Sequence, residues 1–371
     1  MEIIHSAHHL YDIWQKVKQG IRLSAEDGLR LFESNDLLAI GQMANYVREQ
    51  KHGDNTYFIV NRHINHTNVC IKRCKLCAFG VDDDHPTAYT MTLDEVEQHA
   101  KDAIPSNITE LHIVGGLNPE LSLTYYEDML SRLHRLLPDV HIKAFTAVEI
   151  DYFATENQIS LQEVLERLQA AGLGSLPGGG AEIFSQRVRD KICATKVSGD
   201  RWLEVHEVAH RLGMSTNATM LYGHIETVEE RIDHMLRLRE LQDKTSGFLT
   251  FIPLAFHPNN TQLAEEGARL SRTTGIEDIK ILAIARLLLD NFDHIKAYWV
   301  MIGPKLAQIS LRFGVNDLDG TVIEEKITHA AGAETDKGMT QAAIVRLIRQ
   351  AGRKPIERDT LYNVVNQEFS I

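Results

Sequence analysis

The sequence is short of several things, and each shortage excludes something. Only four of its 371 residues are cysteines. That is too few for the disulfide framework of a secreted domain. Prolines number nine and are scattered, so no Pro-rich linker divides the chain. No run of about 18 apolar residues occurs, so no membrane-spanning helix is expected. The stretch from Met1 to Lys16 lacks a basic region followed by an apolar one, so no signal peptide is read and the cytoplasm is the expected location. Positive charge is also scarce: 39 Lys and Arg face 51 Asp and Glu, a net −12. That balance argues against a nucleic-acid backbone or an anionic membrane surface as the main partner.

What is there fits a folded enzyme-sized chain. Apolar residues make up 43% and charged residues 24%, too apolar for disorder. Residues 1 to 55 read as helices, with apolar residues at helical spacing. Strand-like segments then alternate with helical ones. The strand candidates are 56–64, 110–116, 140–146, a short 175–176, 216–223, 247–254, 294–302 and a weak one at 309–315. Thr92 with Glu95, and Ser160 with Glu163, are capping-box pairs opening two of the helices between. About eight βα units suggest an α/β parallel (βα)8 barrel over residues 56–320, with functional groups at the C-terminal ends of its strands. A doubly wound open sheet is the alternative, because periodicity does not show closure. The tail, 321–371, reads as a C-terminal helical extension matching the N-terminal one.

Three of the four cysteines lie within eight residues. Cys70, Cys74 and Cys77 form a C-x3-C-x2-C array directly after the first strand. Thiolates at this spacing can wrap one soft metal centre from a single loop. An iron–sulfur cluster normally takes four thiolates, so three leave one iron open for a substrate, much as catalytic zinc keeps an open position. Lys72 and Arg73 would offset the negative charge. Buried thiols, a zinc site completed by His63 or His66, and a redox pair are the competing readings. Cys193 reads as an ordinary free cysteine. A different class of enzyme is suggested by His206-Glu207-Val-Ala-His210, which matches the H-E-x-x-H pattern of zinc proteases. A barrel's outer helix does not face the active site, which weighs against it.

The cysteine array after the first strand of a βα barrel resembles the radical S-adenosylmethionine superfamily, with Leu76 where an aromatic residue often precedes the third cysteine. Further stretches resemble the futalosine-pathway enzymes of menaquinone biosynthesis. They are Val114–Glu120 (VGGLNPE), Pro177–Phe184 (PGGGAEIF), Asn217–Thr227 (NATMLYGHIET), Phe251–Pro258 (FIPLAFHP) and the Asn316–Thr321 turn. Together with His141–Ile150 (HIKAFTAVEI) they are most similar to the aminofutalosine synthase family. The cyclase of the same pathway and the tyrosine-transferring half of deazaflavin (F0) synthase are the alternatives within the superfamily.

The resemblance implies a [4Fe–4S] cluster on Cys70, Cys74 and Cys77, with S-adenosylmethionine as co-substrate. It implies that a 5′-deoxyadenosyl radical adds to the enol ether of 3-[(1-carboxyvinyl)oxy]benzoate. Rearrangement and decarboxylation then give 6-amino-6-deoxyfutalosine, and methionine leaves. The partners implied are a small dicarboxylate substrate and reduced flavodoxin or ferredoxin as electron donor; the resemblance is compatible with a homodimer. Phe79, Gly115, Gly116, Thr146, Glu149, Glu182 and Asn217 are expected around the cofactor. Glu182 is the candidate for the ribose hydroxyls. Arg62 and His224 are expected to meet the substrate carboxylates, and Tyr222, His257, Asn316 and Asp317 to complete the pocket. Plainer readings stand beside these: Glu149 as a helix cap, His257 as a loop residue and Asp317 as a turn stabiliser.

Overall fold

The β segments are buried on both faces, as Thr216–Tyr222 is at every position, and a closed barrel with a helical jacket achieves this. The computed structural model describes residues 4–267 and 271–369. Its first strand is broken into Asn55–Ile59 and Asn61–Ile64. The second (Glu110–Ile113), third (His141–Ala144), fifth (Thr216–Tyr222), sixth (Phe248–Ala255), seventh (His294–Ile295) and eighth (Asp317–Gly320) follow. The fourth is a two-residue bridge at 175–176.

All neighbouring barrel strands are parallel. Asn61–Ile64 pairs with the second strand, which pairs with the third. Lys143 bridges to Ser175 and Leu176 to Thr216, which carries the sheet across the short fourth strand. The fifth pairs with the sixth and the sixth with the seventh; Lys296 then bridges to Asp317. The eighth strand returns to the first through Tyr57–Asp317 and Ile59–Gly320. The ring is therefore closed, and the open-sheet alternative is set aside.

The helices start where capping chemistry puts them. Thr92/Glu95, Thr146/Glu149 and Thr227/Glu230 are complete capping boxes, and Ser160 accepts from the Glu163 N–H. Two N-terminal helices, Ala25–Glu33 and Leu37–His52, pack over the helix Gly275–Leu288, and the first, Tyr11–Lys18, packs on Leu37–His52. That cover explains why Gly275–Leu288 is buried almost all round. No helix of the described residues is long and apolar enough to cross a membrane.

Three expectations about elements are corrected. The 294–302 run is strand only at His294–Ile295; Trp299–Ile302 is helical, and the Trp299 indole N–H donates to the Gly320 carbonyl at 2.9 Å. Segment 309–315 is the end of the helix Pro304–Ser310 and its following turn, because Pro304 starts a helix there. The eighth strand is instead the Asp-Leu-Asp-Gly segment, which reads as a turn from sequence. Its acids are tolerated because Arg358 pairs with Asp317 at 2.7 Å and Lys296 with Asp319 at 3.1 Å.

The tail is also not wholly helical. After the helix Gln341–Gln350 come two strands, Lys354–Arg358 and Val364–Asn366. The first runs parallel to the lower half of the first barrel strand, from Asn55–Lys354 to Phe58–Glu357. The residues that follow close the barrel floor. Thr360 donates to Glu110 at 2.8 Å, and Tyr362 stacks on His294 with ring centroids 3.5 Å apart.

Candidate functional site

The loop after the first strand carries the three cysteines, all half-buried and free. Its backbone is held from two sides. Cys70 N–H donates to Val81 O at 2.9 Å, and Ile71 N–H to Leu117 O at 3.1 Å. Gly80 N–H points at the Cys77 sulfur at 3.4 Å. Gly116 is demanded by this packing: a Cβ there would lie 2.1 Å from the Val69 carbonyl oxygen. The glycine-rich turn after the second strand is thus the floor on which the cysteine loop rests.

All three thiols line one cavity at the C-terminal end of the barrel. Three sulfurs from one loop, with backbone N–H and cationic side chains nearby, fit an iron–sulfur cluster with one iron not held by protein. Burial pushes the Cys74 thiol up to about 12 while Lys196 opposes it, so metal binding there must release a proton. Among the described residues no three His, Cys, Asp or Glu side chains converge as a single metal ion requires. A cluster spreads its ligands over several irons, so its thiols need not meet at one point. Cys193 is buried and does not line the cavity.

The other seven residues expected around the cofactor line the same cavity: Phe79, Gly115, Gly116, Thr146, Glu149, Glu182 and Asn217. Glu149 both caps its helix and reaches the glycine turn. It accepts from Thr146 N–H at 2.7 Å and from Gly115 N–H at 3.2 Å. Burial nevertheless raises it to about 7. Glu182 sits at a left-handed φ of 46° and pairs with Lys196 at 2.6 Å. Burial opposes both charges, but their attraction wins: Glu182 is held below its ordinary range and Lys196 well above its own. Gly178 lets this segment lie against the fifth strand, since a Cβ there would come 2.8 Å from the Asn217 carbonyl.

The remaining expectations do not reach the cavity lining, and the strand period explains most of them. On the first strand His63 faces the lumen, so Arg62 faces out. There it pairs with Glu324 at 2.8 Å. On the fifth strand Asn217, Thr219 and Leu221 face in, and Tyr222 faces out to donate to Asp278 at 2.8 Å. His224 is held by the Leu221 carbonyl at 3.0 Å and the Glu226 carboxylate at 3.0 Å. His257 donates to the Met301 carbonyl at 2.9 Å. Asn316 accepts from Arg286 at 2.6 Å, and Asp317 lies on the floor with Arg358. None of these six, neither the expected carboxylate binders Arg62 and His224 nor the four expected pocket residues, lines the cavity.

The structure adds residues that sequence reasoning missed. Strand interiors put His63, Glu110, His112, Lys143, Lys296 and Asp319 into the deep half of the cavity. Cross-strand register sets His63, His112 and Lys143 side by side. The two imidazoles stack 4.4 Å apart at 4°. Burial lowers His63 and holds His112 well below its ordinary range, so both are neutral. The missed signal is polar residues at alternate positions of strand runs: Asn61 and His63, Glu110 and His112, His141 and Lys143.

The H-E-x-x-H match is structural. His206 and His210 both bond the Thr216 hydroxyl, at 2.8 Å each, on the outside of the barrel. Its glutamate, Glu207, pairs with Lys244 at 2.6 Å.

Comparison with known proteins places this geometry. Residues 64–238 match the model of the radical SAM superfamily, and residues 245–370 match the CofH/MqnC C-terminal region. The chain is 50% identical over 356 residues to aminodeoxyfutalosine synthase of Thermus thermophilus, covering 96% of each chain. It is 42% identical over 314 residues to 5-amino-6-(D-ribitylamino)uracil–L-tyrosine 4-hydroxyphenyl transferase of Methanopyrus kandleri, covering 84% of this chain and 85% of that one. The crystal structure of methylornithine synthase superposes with a TM-score of 0.73 at 17% identity, covering 92% of this chain and 97% of that one, and so shares its fold.

Proposed function

The chain belongs to the radical SAM superfamily, in the group of aminodeoxyfutalosine synthase and its relatives, and from that premise we propose that it makes 6-amino-6-deoxyfutalosine. Its co-substrates are S-adenosylmethionine and 3-[(1-carboxyvinyl)oxy]benzoate; its other products are methionine and the lost carboxyl carbon. Cys70, Cys74 and Cys77 would hold a [4Fe–4S] cluster, which would supply the single electron for cleaving the sulfonium of S-adenosylmethionine to an adenosyl radical. The electron comes from a reduced flavodoxin or ferredoxin.

The chain's own residues position and shield. The Gly115–Gly116 turn offers backbone that can be approached closely, and Glu149 fixes it. Glu182, kept ionised by Lys196, has acceptors for two ribose hydroxyls. Asn217 is a second polar contact from the fifth strand, and Phe79 packs beside the cysteine loop. Leu221, Ile252, Leu254 and Met301 make the wall apolar, which keeps water from a reactive carbon radical. One cavity spans this end and the lumen, so the reacting carbons can be brought into contact.

The observation that carries the proposal is that one cavity joins the three-thiol loop to a lumen bearing two lysines. The test is the reduced enzyme with both substrates, read by mass spectrometry. An adenosyl–substrate adduct less one carboxyl group is expected. Stoichiometric free 5′-deoxyadenosine instead would indicate hydrogen abstraction and overturn the proposal.

A further inference from the structure

We propose that Lys143 and Lys296 are the two groups that read the substrate's two carboxylates, one at each end; this rests on the function proposed above. The lysines come from the third and seventh strands. In an eight-stranded ring those strands are four apart, so the two side chains enter the lumen from opposite walls. A meta-substituted benzoate with an enolpyruvyl ether also carries its anions at opposite ends.

Both lysines have binding capacity to spare. An ammonium has three N–H donors. The described hydrogen-bond partner of Lys143 is Glu110 at 2.5 Å, and that of Lys296 is Asp319 at 3.1 Å. Both side chains are buried and line the cavity. Each therefore presents two buried N–H groups that need acceptors, and leaving them unmet is costly.

The anchors of the lysines are themselves fixed. Glu110 accepts from Asn61 at 3.2 Å and from Thr360 at 2.8 Å as well as from Lys143. Thr360 belongs to the C-terminal segment that plugs the floor. Asp319 is held at a left-handed φ of 64°, with its N–H on Asp317 at 2.6 Å. Val322 just beyond it has φ 49°, a costly conformation for a β-branched residue. The strained turn aims Asp319 at Lys296. The remaining acid of the deep half, Glu325, is engaged by His329 at 2.9 Å. The stacked His63 and His112, neutral and without a hydrogen-bond partner among the described residues, add no competing charge.

The arrangement also sets selectivity. A zwitterionic amino acid brings an ammonium that one of the two lysines would repel, whereas a dicarboxylate satisfies both.

The test is equilibrium binding to the unreduced, cluster-loaded enzyme with S-adenosylmethionine present. Lys143→Met and Lys296→Met leave a buried carboxylate unpaired and can fail to fold. The paired neutralisations Lys143→Met/Glu110→Gln and Lys296→Met/Asp319→Asn avoid that. Each pair is expected to weaken the dicarboxylate Kd by about 10- to 100-fold. Iron content and S-adenosylmethionine affinity should be unchanged.

Two analogues, one lacking the benzoate carboxylate and one lacking the enol-ether carboxylate, supply the second readout. For each variant, one analogue should bind as tightly as the full substrate, because the missing carboxylate has no lysine left to lose. Dicarboxylate binding within threefold of wild type in both variants would overturn the assignment. So would variants that discriminate the analogues as wild type does. If wild type binds the dicarboxylate but forms no adduct, the proposed reaction fails and the lysine assignment stands; if it does not bind it, both fall.

Discussion

The two ends of the cavity are built differently. The cofactor end is made of contiguous loops: the 70–80 cysteine segment, the 114–117 turn and the 177–182 turn. Backbone groups and glycines do much of the work there, and residues close in sequence are close in space. The deep end is made of single side chains taken from every second position of separate strands. Strand pairing sets His63, His112 and Lys143 side by side and Lys296 beside Asp319, and barrel closure brings the two groups to one lumen. A barrel of this kind can keep its cofactor loops and change what it holds by exchanging a few lumen side chains. The superfamily's fold and motifs therefore say less about substrate than about cofactor.

The strongest way to break this comparison is at the cysteine loop. Cys74→Ser should abolish cluster assembly and all cleavage of S-adenosylmethionine, seen as loss of about four irons per chain and of the broad brown absorbance. Retained iron and turnover would remove Cys74 from the ligand set. The next effect belongs to the ribose carboxylate. Glu182→Gln should raise the KM for S-adenosylmethionine by about 10- to 100-fold, because a charged acceptor is lost, while the Kd of the dicarboxylate stays put. If both constants rose together, the two ends would not be separable.

That separation also explains what could be read from sequence. The cysteine array and the glycine turns were legible because their chemistry is local. Arg62 and Tyr222 lie one residue from lumen-facing His63 and Leu221, so a one-position choice of face decided their role, and sequence alone does not fix the face. The eighth strand was hidden because Asp317 and Asp319 look like turn residues until Arg358 and Lys296 neutralise them from a distance. The strand Lys354–Arg358 was hidden because it is short and its partner, the lower first strand, lies about 300 residues earlier in the chain, at Asn55–Phe58. Lys143 stood inside a recognised motif, yet nothing local says that it meets Glu110.

A smaller effect is a pH dependence at the cofactor end. Burial raises Glu149 from 4.5 to about 7, so the folded chain holds a proton there that the unfolded chain gives up. That contribution to stability is full below about pH 4.5 and is lost as pH rises through about 7. Between pH 5 and 8, wild type free of S-adenosylmethionine should lose up to about 3 kcal/mol more than Glu149→Gln, measured by urea unfolding at each pH. Equal losses in the two proteins would mean that Glu149 ionises in the folded state as it does in the unfolded one.

The smallest expected effect sharpens the comparison from outside the cavity. Tyr222 is in the most recognisable stretch of the fifth strand, next to Leu221, which lines the lumen. Its hydroxyl, however, donates to Asp278 on the helix Gly275–Leu288, on the far side of the sheet. Tyr222→Phe removes that hydrogen bond and leaves the ring in place. It should cost about 1–3 kcal/mol of stability, since a buried bond to a charged group is lost. The Kd of both substrates and the yield of adduct should match wild type, because the strand keeps its inward row unchanged. A changed dicarboxylate Kd with unchanged stability would place Tyr222 in the site and reverse the facing assigned to the fifth strand.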